Sequence, residues 1–504
     1  MRRTLFGSPV TSFTLAPTIV AAIACASGAV SAGGCGSGSG NATSAGDAGG
    51  PAEDATADAT AGSDGSGVAE TGASDAGVDA REGEAGPPAP CSGSGPSPDP
   101  WSTYGHDARR TSASNACIHP SITELWRYPA PSTDGGYPGS PLNAIADDTA
   151  VYVHLQLSAP TVDKVAAATG TQVWRYQGGA DFDNGNWLTL GLGYVMADDD
   201  GVYLVDAEDG GLKSTSGVDW WGQTAADTSR FYVVTTTHGD GPGAFVGAWD
   251  VAKNLIWTAN QQGACMPPIG DENGGLAVDG DSVFFAPRYE VGSPGGILPD
   301  GGGFAVPSGL YAFDAATGSK LWSVATSPDS AISAGGGRVY LVEPGPVLAA
   351  RSEKDGTVAW STAIAAMALS VSTSPPLLAA GLVIVATSDH VLAFDAATGK
   401  AAWSTAVQGA GQHADDQATV NFVSCPSAGQ PMATLAPTTL AAATASGTLV
   451  VTGTAGLTVL SLASGTLLGS YALSGAIDPV LVGDRVYVLA PGQTGEEVVA
   501  LQAK

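Results

Sequence analysis

Positive charge is scarce in this 504-residue chain: Lys and Arg total 19 against 48 Asp and Glu, a formal net charge of -29. A field of that sign repels phosphate backbones and anionic lipid surfaces, which excludes nucleic acid as a partner. Charged residues of either sign make up only 13%, too few for a coiled coil or a helix laced with ion pairs. Cysteine is sparse as well: there are six, with no C-x-x-C and no adjacent pair, and the six histidines never stand four apart. No zinc-ligand spacing results. Nucleophile motifs are missing too, with no Gly-x-Ser-x-Gly, no Ser-x-x-Lys and no phosphate loop. What the chain has in quantity is glycine, 70 residues, the residue of tight turns.

Arg2 and Arg3 precede an apolar stretch, Val10 to Ala24, that is too short for a membrane span and suits a signal-peptide core. Residues 1–34 are therefore read as a signal peptide and the protein as exported. Ala22-Ile23-Ala24-Cys25 and Ala32-Gly33-Gly34-Cys35 both resemble lipoprotein cleavage sites, while Val30-Ser31-Ala32 suits an ordinary signal peptidase and would give a secreted protein. Parity favours lipidation at Cys35, with Cys25 the alternative, because that cut leaves four other thiols in an oxidising compartment. Of the three connectivities open to those four, Cys91 with Cys117 and Cys265 with Cys425 is the simplest. An acyl cysteine anchors without spanning, and the expected location is the outer membrane of a diderm bacterium, on either face. Residues 35–100 hold eleven acids and one base, with Val68 and Val78 the only sizeable apolar side chains. Nothing there offsets the entropy of ordering, so the segment is expected to be a disordered linker.

Beyond residue 100 the chain repeats itself. Ala312-Phe-Asp-Ala-Ala-Thr-Gly-Ser-Lys-Leu-Trp322 and Ala393-Phe-Asp-Ala-Ala-Thr-Gly-Lys-Ala-Ala-Trp403 are two copies of one unit, and weaker copies end at Trp174, Trp257 and Trp360. Two more lose the Trp, near residues 214 and 469. Each unit reads as four strands in about 40 residues, the dimension of a propeller blade. Asp in the turn caps backbone N–H groups, Gly takes a positive φ, and the Trp fills the wedge between blades. Seven units are complete, and the chain ends one strand short of an eighth. Ile122-Thr-Glu-Leu-Trp126-Arg-Tyr128 is an orphan strand with the same Trp signature, expected to pair with Glu497–Leu501 and close the ring. Residues 101–504 are thus predicted to be all-β: one eight-bladed β-propeller of four-stranded antiparallel blades, preceded by the signal peptide and linker.

The pattern Ala-x-Asp-x-x-Thr-Gly-x-x-x-Trp resembles the pyrroloquinoline-quinone-like propeller repeat over residues 101–504. That resemblance implies the fold and two opposed functions: quinone-dependent alcohol and sugar dehydrogenases, or envelope lipoproteins that bind other proteins. The Asp-x-x-Thr-Gly turns define one face; the connections between blades lie on the other. Long excursions, 261–273, 288–308 and 408–437, gather on that second face together with Asp181, Asp183, Asp271, Glu272, Asp415, Asp416 and Asp478. Such an acidic mouth repels a quinone with three carboxylates unless calcium intervenes. Asp181-Phe-Asp183-Asn-Gly begins like a calcium loop but lacks the third acid and the distal Glu. His413 beside Asp415 and Asp416 is the one meeting of base and carboxylates. Trp187, Trp220 and Trp221 lie outside the repeat's Trp position; exposed, they are stacking or anchoring rings, and buried, they are core. The expected function is non-catalytic binding of an envelope protein or glycan by a monomer that touches the membrane only through its anchor. The alternative is the quinone-dependent dehydrogenase, with calcium and the quinone as cofactors; for the scaffold no cofactor is expected.

Overall fold

Runs such as Arg338-Val-Tyr-Leu-Val-Glu343 bury every central residue, because each blade is covered by a neighbour on both faces and its middle strands meet no water. Outer strands behave differently. Gln172–Gln177, Lys320–Ala325, Val358–Ala363, Ala401–Ala406 and Leu467–Ala472 share one pattern, with only the third and fifth residues half-buried. The third is the Trp position, so the repeat's tryptophan is the inward anchor of an otherwise solvent-facing strand.

In the computed structural model the described residues are 99–504 without 132–139, 158–159, 179–186, 199–201, 216–222, 237–243, 253, 261–273, 288–308, 327, 329, 365–374, 388, 408–439, 454 and 493–494. They form eight sheets. Seven are built from consecutive strands, from Ser140–Gln177 as blade 1 to Leu440–Ala472 as blade 7. Blade 8 takes Ile477–Val482, Arg485–Pro491 and Glu496–Ala503 from the C-terminus and Ile122–Pro129 from far upstream. The closing pair is antiparallel, from Ile122 opposite Ala503 to Pro129 opposite Glu497. The orphan strand therefore closes the ring as its Trp signature implies. Among the described residues no helix is long and apolar enough to cross a membrane.

Two regularities explain the repeat. In all eight blades the outer strand bulges by one residue just before the Trp position, at Leu125, Val173, Lys213, Ile256, Leu321, Ala359, Ala402 and Leu468. The bulged residue is thrown outward, which is why Leu125, Val173, Ile256, Leu321 and Leu468 are exposed, and the strand edge loses the flat register that invites another chain. In blades 1, 2, 4, 5, 6 and 7 the turn glycine lies under the tryptophan of the preceding blade. A Cβ on Gly170, Gly318, Gly399 or Gly465 would sit 2.4–2.6 Å from an atom of Trp126, Trp257, Trp360 or Trp403. The indole N–H of the same tryptophan donates to the carbonyl two residues into that turn region, Trp257 to Ala315 at 2.9 Å and Trp360 to Ala396 at 3.0 Å. Gly and Trp of one motif thus never meet; each meets its counterpart in the next blade.

The segment before the closing strand holds the ring at its axis. The first strands of the blades line the axis, and residues 101–117 run one lap round them at the mouth where the Asp turns lie. N–H groups at the last or penultimate residue of the first strands of blades 1, 2, 4, 5 and 6 (Ala146, Leu190, Val278, Ala334 and Leu378) donate to the carbonyls of Trp101, Ser102, Ala108, Arg109 and Thr111, at 2.6–3.0 Å. Blade 3 is met through the Thr103 hydroxyl, which donates to Thr224 O. At blade 7, Ala113–Ser114 adds a fifth strand, parallel to Leu440–Ala443, so this one blade departs from the all-antiparallel expectation. At blade 8 the Cys117 N–H donates to Gly483 O at 2.7 Å. Eight blades are met in ring order by one strap.

Candidate functional site

The strap crosses the inner strands at the Asp-turn mouth. Its central loop crosses the axis through Thr103 to Arg110, and its path is strained: His106, Arg110 and Ser112 have φ of 79, 62 and 52°, in the left-handed region, alongside Gly105 at 71°. What holds it there is Arg110, whose side chain is fully buried. Its Nε donates to Leu276 O at 2.9 Å, Nη2 to Thr224 O at 2.5 Å, and Nη1 to Thr103 Oγ1 at 2.8 Å and to Tyr104 O. Burial pushes this guanidinium down to about 10, with Tyr104 and Asp107 acting in the other direction. A cation held mainly by backbone oxygens joins the strap to blades 3 and 4. At the strap's start, burial works against ionisation of Asp99, but His106 and the Asn115 N–H outweigh it and keep the carboxyl below its usual range.

Above the strap lies a narrow pocket of about 30 Å³. Trp101, Tyr104 and Gly105 form its floor; Asn143, Leu440 and Asp478 stand in its walls, from blades 1, 7 and 8. Asn143 is only 6% exposed and its Oδ1 has no hydrogen-bond partner. Opposite it in the sheet stands His154, 1% exposed, whose Nδ1 is also unpartnered and whose imidazole burial pushes down to about 4. The wall residues sit at irregularities: the register slips at Leu142, beside Asn143, and again between Ile477 and Val480, where Asp478 adopts φ 50°.

Of the residues singled out in the sequence on the candidate face, Asp478 and Trp187 are described: Asp478 lines the pocket, and Trp187 is core. It is 7% exposed with its ring edge-on to Tyr104 at 5.0 Å, so it braces the strap and offers no exposed stacking surface. Its neighbours at the start of the blade 2 inner strand, Leu188 and Thr189, are buried too, because this strand faces the axis. Asp181, Asp183, Trp220, Trp221, Asp271, Glu272, His413, Asp415 and Asp416 lie outside the described residues, as do Cys25, Cys35, Cys91, Cys265 and Cys425. Cys117 is disulfide-bonded. Among the described residues no three His, Cys, Asp or Glu side chains group as a metal site. Sequence reasoning passed over Trp101, Tyr104, Arg110 and Asn143. The available signal was Arg109-Arg110, two adjacent bases in a chain that has few.

Residues 307–434 match the family described as outer membrane protein assembly factor BamB. No curated protein matches the sequence. Among solved structures, the quinohemoprotein alcohol dehydrogenase from Comamonas testosteroni is similar at TM-score 0.56 and 13% identity, over 80% of this chain and 80% of that one. A europium-containing methanol dehydrogenase is similar at TM-score 0.57 and 13% identity, over 80% and 98%. BamB from Moraxella catarrhalis aligns at TM-score 0.50 and 14% identity, over 76% and 98%. Identities this low speak for the fold and leave chemistry to the site. With its Asp-x-x-Thr-Gly turns, its tryptophan seams and its eight blades, the protein is an eight-bladed β-propeller, similar over residues 307–434 to the BamB family and in fold to both the assembly factor and the dehydrogenases.

Proposed function

We propose that the protein is a non-catalytic binding scaffold of the bacterial cell envelope, engaging a protein or a glycan through its loop-bearing face. The observation that carries this reading is the fate of Arg110. A quinone with three carboxylates needs bases at the axis, yet the Arg110 guanidinium is spent on Thr103, Tyr104, Thr224 and Leu276 within the floor. The pocket above it presents Asp478 and no Lys or Arg. The described residues therefore do not fit the quinone. A rigid ring with variable loops at one mouth is suited to recognition instead.

Export, a lipid anchor at Cys35 and the Cys91–Cys117 and Cys265–Cys425 bonds complete the reading, with the anchor as the sole membrane contact and a monomer as the working form. Mass spectrometry of the mature N-terminus tests the anchor, a diacylglyceryl adduct being expected. Incubation with calcium and pyrroloquinoline quinone tests the function: no stoichiometric cofactor and no dye-linked oxidation of alcohols or sugars are expected. Turnover would instead establish the dehydrogenase, which the fold likeness to the Comamonas enzyme favours. Replacing Trp220, Trp221, Asp415 and Asp416 together is expected to abolish crosslinking to envelope components while leaving the unfolding temperature unchanged.

A further inference from the structure

We propose that the seam between blades 2 and 3 is the joint of the ring, opening locally while the other seams stay shut. This goes beyond the scaffold reading, since it concerns how the ring deforms whatever occupies its loop-bearing face. Three observations carry it. The first is a missing key. At six seams the indole of one blade covers the turn glycine of the next, so closely that a Cβ on that glycine would come within 2.8 Å of the ring. Blade 2 has Ser214 at the Trp position, opposite Leu204, and the blade 3 turn offers Asn254 in place of the glycine. That turn is one residue shorter, its Asp250 N–H reaching Asn254 O where the Asp314 N–H of blade 4 reaches Ser319 O. Indole and glycine are thus lost together, and with them the largest apolar ring of the repeat.

Gly469 in blade 7 also lacks the indole, but its seam is keyed in another way. A Cβ there would sit 2.7 Å from Pro120 O and 3.0 Å from Pro120 Cβ, so the chain leaving the strap takes the place of the ring between blades 7 and 8. Ile118 beside it is fully buried, its N–H donating to Ser446 Oγ and its carbonyl accepting from Thr448 Oγ1, both at 3.0 Å. The second observation is the grip of the strap. Blade 3 is held by side chains that end on one carbonyl: Thr224 O accepts from Thr103 Oγ1 at 3.1 Å and from Arg110 Nη2 at 2.5 Å. Hydroxyls of Thr103, Thr189 and Thr224 link blades 2 and 3 in a chain of 2.9 and 2.7 Å steps, bonds that water can replace at small net cost. The third is the core. Among the described residues Met196 and Leu204 of blade 2 meet Phe231 and Val233 of blade 3, with Trp249 and Val251 at the margin, whereas ten fully buried apolar residues join blades 4 and 5. Local opening is easiest where least apolar surface is buried.

The test makes one substitution at two equivalent sites. Val153 and Val233 are both fully buried, each directly after the tyrosine of its blade's second strand, the first packed in the seam of blades 8 and 1 and the second in the seam of blades 2 and 3. The intact Val153→Cys and Val233→Cys variants are treated with N-ethylmaleimide in native buffer, and adducts above those of the parent are followed by mass. Modification of Val233→Cys about tenfold faster or more is expected, with little acceleration by urea below the unfolding transition, as local opening requires. Should a variant fold poorly, hydrogen exchange on the unaltered chain gives the same decision: amides of the blade 2 outer strand, Leu212–Thr215, are expected to exchange ahead of those of the keyed outer strands Lys320–Ala325 and Ala401–Ala406. Equal modification at the two sites, a urea dependence as steep as that of global unfolding, or equal exchange in the three outer strands would overturn the proposal.

Discussion

The two mouths of this ring are built on opposite plans. At the Asp-turn mouth the blades repeat related chemistry: in blades 4 and 6 the Asp314 and Asp395 carboxylates accept the N–H and hydroxyl of the Thr three residues on, at 2.7–2.8 Å, in six blades a turn glycine lies under the neighbouring indole, and the strap ties the first strands together. At the other mouth the connections differ in length from blade to blade and no motif recurs. The repeat's polar residues are thus spent on the closed end, which frees the open end to vary without unfolding the ring.

The sharpest way to break this asymmetry is Arg110→Met. It removes four hydrogen bonds from a fully buried cation and leaves the carbonyls of Leu276 and Tyr104 short of a donor. Hydrogen bonds to charged groups contribute about 1.5–3 kcal/mol each, and even with partial relaxation a loss of ~4 kcal/mol or more in unfolding free energy is expected. Hydrogen exchange locates the effect: the amides of Ala146, Leu190, Val278, Ala334 and Leu378, which donate to the strap, should lose protection ahead of the middle strands. Uniform loss across all strands would mean the strap does not hold the closed mouth separately.

Two glycines at the same mouth separate backbone freedom from cross-blade contact. Gly318 and Gly336 share a left-handed φ, 70 and 64°, but a Cβ on Gly318 would meet Trp257 at 2.5 Å whereas one on Gly336 meets nothing within 4 Å. Gly336→Ala is expected to cost ~1 kcal/mol from conformation alone. Gly318→Ala adds displacement of a buried ring and should cost ~3 kcal/mol. Thermal unfolding of the two variants side by side checks this, and equal losses would reduce the motif glycine to a turn residue.

That comparison also marks where the sequence is legible. The closing strand was readable because Trp126 carries the same signature as Trp322 and Trp403, so the count of blades followed from side chains alone. The strap was not, since its bonds run through backbone carbonyls that any residue possesses, along a path set by positive φ at His106, Arg110 and Ser112 that no side-chain pattern announces. The pairing of Gly318 with Trp257 was hidden for another reason: the motif writes glycine and tryptophan together, while the fold separates them by a whole blade. Trp187 shows the converse limit. Its place outside the repeat left exposed and buried readings equal in kind, and only the strap, through Tyr104, decides for burial. Asn143 and Asp478 line one pocket across the ring's closure, a proximity that their separation of 335 positions conceals.

The smallest expected effect concerns the blade that places a carboxyl in its turn at the closed mouth. Where blades 1, 4 and 6 place Ala167, Ala315 and Ala396 to receive the tryptophan N–H, blade 5 places Glu353, whose carbonyl accepts from Trp322 at 2.7 Å. Burial first, and then the Asp279 carboxylate of blade 4, push the Glu353 carboxyl up to about 7, against bonds from the Gly335 and Arg338 N–H groups. An unfolded glutamate releases its proton near 4.5, so between that pH and 7 the folded chain holds a proton that the unfolded chain has lost. Rising pH across this window therefore favours unfolding, and the contribution is fully unfavourable above 7. Glu353→Ala introduces the residue used by blades 1, 4 and 6 and removes that dependence. The unfolding temperatures of variant and parent should lie close together at pH 4.5 and separate steadily up to pH 7.5, the variant becoming the more stable. Parallel curves over that range would show that Glu353 and Asp279 do not share a proton, and the closed mouth would then be as insensitive to pH as its alanine blades.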